Sequence, residues 1–365
     1  MKFVDLAAQR ARLGSKIDDA IATVLDHGVF IGGPEVTTLE EQLSAFTGAR
    51  HCVTCANGTD ALVLSLRAIG LKPGDGVVVP SFTFAATPEA VVLAGGVPVF
   101  ADIDPGTFNI DPTSAALAQK EAERVGIDVV GAIAVDLFGH PAAYSDLSAA
   151  LPGVWLVADG AQSLGASVNG ARVGTLASIT TTSFFPSKPL GCYGDGGAIF
   201  TDDDDIADVV RSLRVHGQGS DKYNNIRVGT NSRLDTIQAA VLLTKLQSFP
   251  DELNERQGVA DQYRIRLADS GVVIPRVAEG SRSAWAQYTV RVPDRDVVAA
   301  ALSEASIPTA VYYRQPLHLS TAYALYAGEL NMSHTETASR EVLSLPMHPY
   351  LTAEEIDRVT ALVRR

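Results

Sequence analysis

Apolar residues follow two alternating patterns along most of the chain. Short runs of consecutive apolar residues are typical of strands that are buried on both faces. Between them lie segments in which apolar residues recur every three or four positions, as in helices. The runs that predict strands are 51–56, 76–80, 98–102, 131–137, 154–159, 179–183 and 197–201. This alternation predicts an α/β protein with a mostly parallel sheet.

A helix-rich stretch over residues 235–267 separates this series from a second alternating region. The elements predicted there are strands over 288–292 and 309–313 and helices over 297–304 and 353–363. Pro250 interrupts the helical pattern, since proline lacks the N–H group that a helix interior requires. We therefore predict a large domain over residues 1–250 and a smaller C-terminal α/β domain over 251–365.

Composition narrows the possible partners. The chain has 365 residues, 46% of them hydrophobic, and a formal net charge of −13. An acidic chain is a poor match for nucleic acid or for an anionic membrane surface. The first residues lack the basic and apolar segments of a secretory leader, and no apolar run approaches the length of a membrane span. We expect a cytoplasmic protein that holds any phosphorylated ligand through local donors.

The number and spacing of the cysteines do not indicate a metal site. Three cysteines are too few for a disulfide framework. Cys52 and Cys55 have the spacing of a metal-binding pair, but no second pair exists and both lie in a predicted strand. We interpret them as buried thiols and expect no bound metal.

One lysine lies in an unusual connection between two predicted strands. Lys188 stands between Pro186 and Pro189 and is followed by several glycines, so a stiff turn would present its amine. A fixed and partly desolvated amine suits Schiff-base chemistry with a carbonyl compound. Taken alone, a lysine at this position would more often be a surface lysine in a turn.

The sequence around Lys188 resembles a known family. Ser183-Phe184-Phe185-Pro186-Ser187-Lys188-Pro189-Leu190-Gly191, followed by Gly194-Asp195-Gly196-Gly197-Ala198, resembles the pyridoxal-phosphate segment of the DegT family of sugar aminotransferases. The resemblance implies a fold-type-I aminotransferase, with pyridoxal 5′-phosphate bound covalently to Lys188. It also implies that Ser183 contacts the cofactor phosphate.

Asp159 ends a predicted strand, at the edge where open α/β sheets bind ligands. A carboxylate at that place could keep a pyridine nitrogen protonated, although the segment alone could also be a turn or a cap. The family resemblance assigns the pyridine contact to Asp159. It places Gln162 beside the phenolic oxygen of the cofactor ring.

Two further loops follow predicted strands. Asn57-Gly58-Thr59-Asp60 precedes a predicted helix, where free N–H groups could hold a phosphate or simply form a turn and cap. By resemblance, Gly58 and Thr59 bind the cofactor phosphate, with Asp60 nearby. Phe84 could stack on a flat ring, as its counterpart in the family does, or belong to the core.

The segment Gly229-Thr230-Asn231-Ser232-Arg233-Leu234-Asp235 resembles the part of the family fold that reaches the neighbouring subunit. The resemblance implies that Asn231 contacts the partner's cofactor phosphate, and hence a homodimer with shared sites. As an isolated residue, Asn231 could also cap a helix. Arg227 and Arg233 are candidates for a sugar carboxylate or diphosphate, and His318 is a candidate substrate contact.

Within the family, the chain is most similar to enzymes that aminate a UDP-linked 2-acetamido-2-deoxy-3-keto-hexuronic acid. The expected reaction moves an amino group from an amino acid, with glutamate as the expected donor, to the C3 carbonyl of that sugar. The alternatives are a 3- or 4-keto-6-deoxy sugar linked to dTDP, UDP or GDP, or a non-catalytic regulatory protein. Retention of Lys188, Asp159 and Gln162 disfavours the last of these and the dehydratases in which histidine replaces the lysine.

Overall fold

A computed structural model describes residues 1–364 and confirms the predicted α/β fold. Its strands are β1 (His51–Cys55), β2 (Gly76–Pro80), β3 (Val97–Ala101), β4 (Val129–Val135), β5 (Trp155–Asp159), β6 (Ser167–Val168), β7 (Ala171–Arg172), β8 (Ile179–Ser183), β9 (Gly197–Thr201), β10 (Ser281–Arg282), β11 (Tyr288–Arg291) and β12 (Val342–Leu345). Seven of them form the main sheet in the order β1-β9-β8-β5-β4-β2-β3. β9 is antiparallel to both of its neighbours, and the other adjacent pairs are parallel.

Helices connect the strands and cover the sheet. They are α1 (Leu6–Leu13), α2 (Lys16–His27), α3 (Pro34–Thr47), α4 (Gly58–Ala68), α5 (Ala86–Leu93), α6 (Pro112–Arg124), α7 (Tyr144–Ala150), α8 (Asp204–Leu213), α9 (Thr236–Leu246), α10 (Phe249–Leu267), α11 (Arg295–Glu304), α12 (Ser333–Glu341) and α13 (Ala353–Val363). Within residues 1–364, no helix is both long and apolar enough to cross a bilayer. The cytoplasmic location stays a prediction.

Both faces of the main sheet are buried, which explains the unbroken apolar runs of its strands. Along β4, Ile133 and Val135 enter the core beneath α4 and α5, while Ala132 and Ala134 enter the core beneath α6 and α7. Successive side chains of a strand point to opposite faces, so each face needs apolar residues. Six strands of the main sheet, β1, β2, β3, β4, β5 and β8, run in the same direction, so their carboxyl ends lie at one common edge of the sheet.

A third core lies in the C-terminal part of the chain. It surrounds the antiparallel pair β11 and β12 and is built from α10, α11 and α13. α10 contributes to two cores, since Phe249 and Leu253 pack beside the main sheet and Tyr263 packs in the third core. A domain division near residue 250 stays a prediction, and its stated end, residue 365, lies outside the described residues.

The structure corrects one sequence prediction. Residues 309–313 do not form a strand: only Ala310 bridges to Ser344, and the chain then turns toward the sheet edge. The predicted interruption near Pro250 is present, since α9 ends at Leu246 and α10 begins at Phe249; Pro250 lies in the first turn of α10, where a missing N–H group is tolerated. The pairing of β12 with β11 was not predicted, since four residues carry too little periodicity.

Candidate active site

Asp159 is the last residue of β5 and lies between β4 and β8 at the common strand edge. Its side chain is only 7% exposed. Thr87 Oγ1 donates to Oδ2 at 3.0 Å, and the amide of Ala161 donates to Oδ1 at 3.2 Å. Burial raises the pKa of Asp159, while the Ala161 amide, Lys188 and Thr87 oppose that rise. These contacts hold the carboxylate in a fixed orientation.

The turn that carries Lys188 is closed upon itself. The Lys188 amide donates to the carbonyl of Phe185 at 2.9 Å, and Cys192 donates its amide to Phe184 O at 2.8 Å. Gly191 is required here, since a Cβ atom on it would stand 2.5 Å from the carbonyl oxygen of Pro186. The structure shows a turn where the two prolines predict one, and its stiffness stays a prediction.

Lys188 and Asp159 interact electrostatically. Burial lowers the pKa of Lys188, and the attraction of Asp159 opposes that change. A lowered pKa enlarges the fraction of neutral amine, which is the form that attacks a carbonyl. Lys188 and Asp159 therefore combine a nucleophilic amine with a buried carboxylate that can pair with a cationic ring nitrogen.

The start of α4 meets the end of β8 at this edge. A Cβ atom on Gly58 would stand 2.8 Å from Cβ of Ser183, so only glycine allows this approach. Asn57 caps the helix, accepting from the amide of Asp60 at 2.8 Å, and the first amides of α4 have no partner within the helix. The half-buried Gly58 and Thr59 thus lie beside Ser183 in an anion-binding geometry.

These features fit pyridoxal phosphate. Lys188 would hold its carbonyl carbon, Asp159 its ring nitrogen, and the Gly58, Thr59 and Ser183 cluster its phosphate. Asp60 lies in the first turn of α4, where its backbone amide donates to the side chain of the cap residue Asn57. The residue roles stay proposals, but the structure brings these side chains to one sheet edge, as the sequence predicts.

Gln162, Phe84 and Tyr313 line the same edge. Gln162 Oε1 accepts from the amide of Phe138 at 2.6 Å, which leaves its Nε2 group as a donor. Phe84 is 60% exposed, so it is not a core residue, and its ring centroid lies 6.3 Å from that of Tyr313. Sequence reasoning missed Tyr313, because the segment that brings it to Gln162 was predicted as a strand.

Asp136 is a second buried carboxyl group that sequence reasoning missed. It follows β4, one strand from Asp159, and accepts from Ser163 Oγ and Tyr144 Oη at 2.6 Å each. Burial raises the pKa of Asp136 to about 7, against the effect of these donors. It joins the turn after β5, which carries Gln162, to the turn after β4. Its position after an apolar run at the ligand-binding edge was the available signal.

The predicted intersubunit segment lies on the surface of the single chain. Asn231 is exposed, but its neighbour Ser232 is buried and accepts from the Ala56 amide at 3.1 Å. The segment thus runs beside the loop that precedes α4. Arg227 is half-buried and Arg233 is exposed, and within residues 1–364 neither side chain forms an ion pair.

His318 is placed differently from the other candidates. It is buried, and its Nδ1 lies 2.5 Å from Ser81 Oγ, while its Nε2 lies 3.7 Å from Glu336. Ser81 begins the loop that carries Phe84. His318 therefore has the contacts of a residue that positions this loop, and its contact with the substrate stays a proposal.

Cys52, Cys55 and Cys192 are free and buried. Burial raises the pKa of Cys55 to about 12, so its thiol stays protonated and unreactive at neutral pH. Among the described residues, no group of three or more His, Cys, Asp or Glu side chains could hold a metal ion.

Comparison with known proteins agrees with this geometry. Residues 11–364 match the DegT/DnrJ/EryC1/StrS aminotransferase family. The sequence is 46% identical to a UDP-2-acetamido-2-deoxy-3-oxo-D-glucuronate aminotransferase of Pseudomonas aeruginosa, over 99% of both chains. A DegT DnrJ EryC1 StrS aminotransferase from Brucella abortus superposes with a TM-score of 0.97 at 44% identity, covering 100% of this chain and 98% of that one.

NtdA from Bacillus subtilis, solved with bound cofactor PMP, is also similar, with a TM-score of 0.88 and 30% identity. The superposition covers 99% of this chain and 82% of NtdA. The predicted transaminase activity and pyridoxal-phosphate cofactor are confirmed at the level of the family. The chain belongs to the DegT/DnrJ/EryC1/StrS aminotransferase family.

Proposed function

We propose that this enzyme transfers the amino group of glutamate to the C3 carbonyl of a UDP-linked 2-acetamido-2-deoxy-3-keto-hexuronic acid. The choice of substrate is supported by the 46% identity, over nearly the full length of both chains, to an aminotransferase named for such a sugar. The Lys188 amine and the buried Asp159 at the strand edge support the chemistry.

When bound, pyridoxal phosphate supplies an electron sink for the electron pair left when a C–H bond at the reacting carbon breaks. Lys188 is the group that moves protons. As a neutral amine it takes the proton from Cα of the amino donor, and in the second half of the cycle, as an ammonium, it gives a proton to C3 of the sugar. Its lowered pKa enlarges the fraction of neutral amine that can take a proton.

Asp159 and its neighbours would hold the pyridine ring of pyridoxal phosphate. The Asp159 carboxylate accepts from Thr87 and Ala161 in fixed directions, so it can face a ring N–H without rearrangement. Gln162, whose Oε1 accepts from the Phe138 amide, could donate its side-chain N–H to the phenolic oxygen of that ring. The exposed face of Phe84 can cover the ring.

The proposed assembly is a homodimer with shared sites. Apolar side chains of the segment before Asn231 are exposed in the single chain, with Tyr223 at 85% and Val228 at 83%. Phe30 and Ile31 are also exposed and pair through their backbones with Thr236 and Asp235, just beyond Asn231. Exposed apolar side chains on both segments favour burial against a second copy. A one-chain mass by light scattering would contradict the dimer.

The substrate proposal predicts a specific order in a titration. The purified enzyme, converted to its amino form with glutamate, is mixed with UDP-linked 3-keto uronic acid, with the corresponding neutral 3-keto sugar, and with dTDP-linked 4-keto-6-deoxy sugar. We expect the spectrum of the lysine-bound cofactor to return fastest with the uronic acid. A faster return with the 4-keto sugar would contradict the proposal and favour the alternative substrate.

A uronic substrate brings a carboxylate that needs a cation in a protein of net charge −13. We assign this role to Arg227, because it is half-buried, lies four residues before Asn231 and has no acidic partner within residues 1–364. Loss of one partner of a buried charge pair costs about 2–5 kcal/mol. Arg227→Ala should therefore lower kcat/KM for the uronic acid by about thirtyfold or more.

The control is the neutral 6-hydroxymethyl analogue, for which Arg227→Ala should change kcat/KM little. Arg227→Lys keeps the charge but not the planar fork and should give an intermediate loss. Equal losses for both sugars would remove the assignment of Arg227 to the carboxylate.

A further inference from the structure

A second lysine lies beneath the turn that carries Lys188. Lys245, near the end of α9, is only 2% exposed. Its Nζ donates to the carbonyl of Gly191 at 2.6 Å and lies 4.3 Å from the ring centroid of Tyr193. A buried ammonium is costly unless its partners are well placed, so these contacts are specific features of the fold.

The same face of α9 holds the turn at a second point. Gln238 lies seven residues before Lys245, two helical turns away, and its Oε1 accepts from the amide of Tyr193 at 2.9 Å. Gly194 also packs against Gln238, since a Cβ atom there would stand 3.0 Å from Nε2. α9 therefore contacts residues 191–194 through two side chains, immediately after Lys188.

We infer that Lys245 is a positioning residue for the active site: its ammonium fixes the Gly191 carbonyl and the Tyr193 ring, and thereby the turn from which Lys188 presents its amine. The inference rests on the proposed role of Lys188. Burial lowers the pKa of Lys245 to about 8, while Cys192 and Glu252 oppose the change, so most of the side chain is charged at neutral pH.

The physical consequence of losing Lys245 is local. Methionine fills a similar volume, and replacing a buried charge by a well-packed apolar group often leaves global stability unchanged. The Gly191 carbonyl, however, would be left buried without its donor. The turn of residues 186–194 should then open more often than the rest of the protein.

Hydrogen exchange of the cofactor-free protein, followed by mass spectrometry, measures this opening. For Lys245→Met we expect exchange of the peptide over residues 186–194 to accelerate about tenfold or more, with other core peptides unchanged. Lys245→Gln retains a donor and should accelerate it less. Thr244→Val, a substitution at the neighbouring buried position that bonds only within α9, is the matched control and should leave the turn unchanged.

A second readout links the turn to the cofactor. After addition of pyridoxal phosphate, borohydride trapping at Lys188 should be slower in Lys245→Met than in the parent and in Thr244→Val. Unchanged exchange of the turn in Lys245→Met would overturn the inference. Faster exchange with trapping at a different lysine in the parent would overturn the proposed role of Lys188 and leave the contact between Lys245 and the turn intact.

Discussion

Lys188→Ala is expected to abolish transamination, with a loss of more than about ten-thousandfold in kcat. The variant removes both the amine that attaches the cofactor and the group that moves the proton at the reacting carbon. We also expect the purified variant to lack the visible absorbance of a lysine-bound cofactor, which should make the parent protein yellow.

The fold should tolerate this change. Lys188 forms no side-chain hydrogen bond among residues 1–364, and the turn is closed by the backbone bonds of Lys188 and Cys192. Lys72→Ala, at an exposed position, is the control and should retain colour and activity. A Lys188→Ala protein that keeps either property would show that another lysine carries the cofactor.

Asp159→Asn is expected to lower kcat by roughly a thousandfold, which corresponds to about 4 kcal/mol in transition-state stabilisation. The amide oxygen can still accept a hydrogen bond at this position, but it lacks the charge that keeps a ring nitrogen protonated. Because burial of a neutral amide costs less than burial of a carboxylate, the free energy of unfolding should not fall.

Single-turnover measurement of each half-reaction, together with thermal unfolding, tests this second prediction. Asp75→Asn makes the same chemical change in the turn before β2, at the opposite edge of the sheet, and should leave kcat unchanged. Near-normal turnover of Asp159→Asn would mean that Asp159 has only a structural role.

The sequence was sufficient for the main sheet because its strands are buried on both faces. Runs such as residues 154–159 and 197–201 have no polar alternation, so they could be recognised as buried strands. Their ends then placed Asp159 at the end of one strand and Lys188 in the turn between two others. The prolines and glycines around Lys188 act locally, so their effect on the turn could be read without knowing what packs against it.

Contacts between distant elements could not be predicted in the same way. Tyr313 reaches Gln162 because residues 309–313 leave the edge of β12, and Lys245 meets Gly191 because α9 packs beneath the turn. Such pairings depend on tertiary packing, which a single sequence does not encode as a local pattern. His318 shows the same limit, since only the fold reveals its contact with Ser81.

The identity of the cofactor lysine is tested most directly by reduction of the holoenzyme with borohydride, followed by proteolysis and mass spectrometry of the labelled peptide. We predict one pyridoxyl group per chain, attached to Lys188, and no label in the Lys188→Ala variant. A label on Lys245 or on any other lysine would contradict the account.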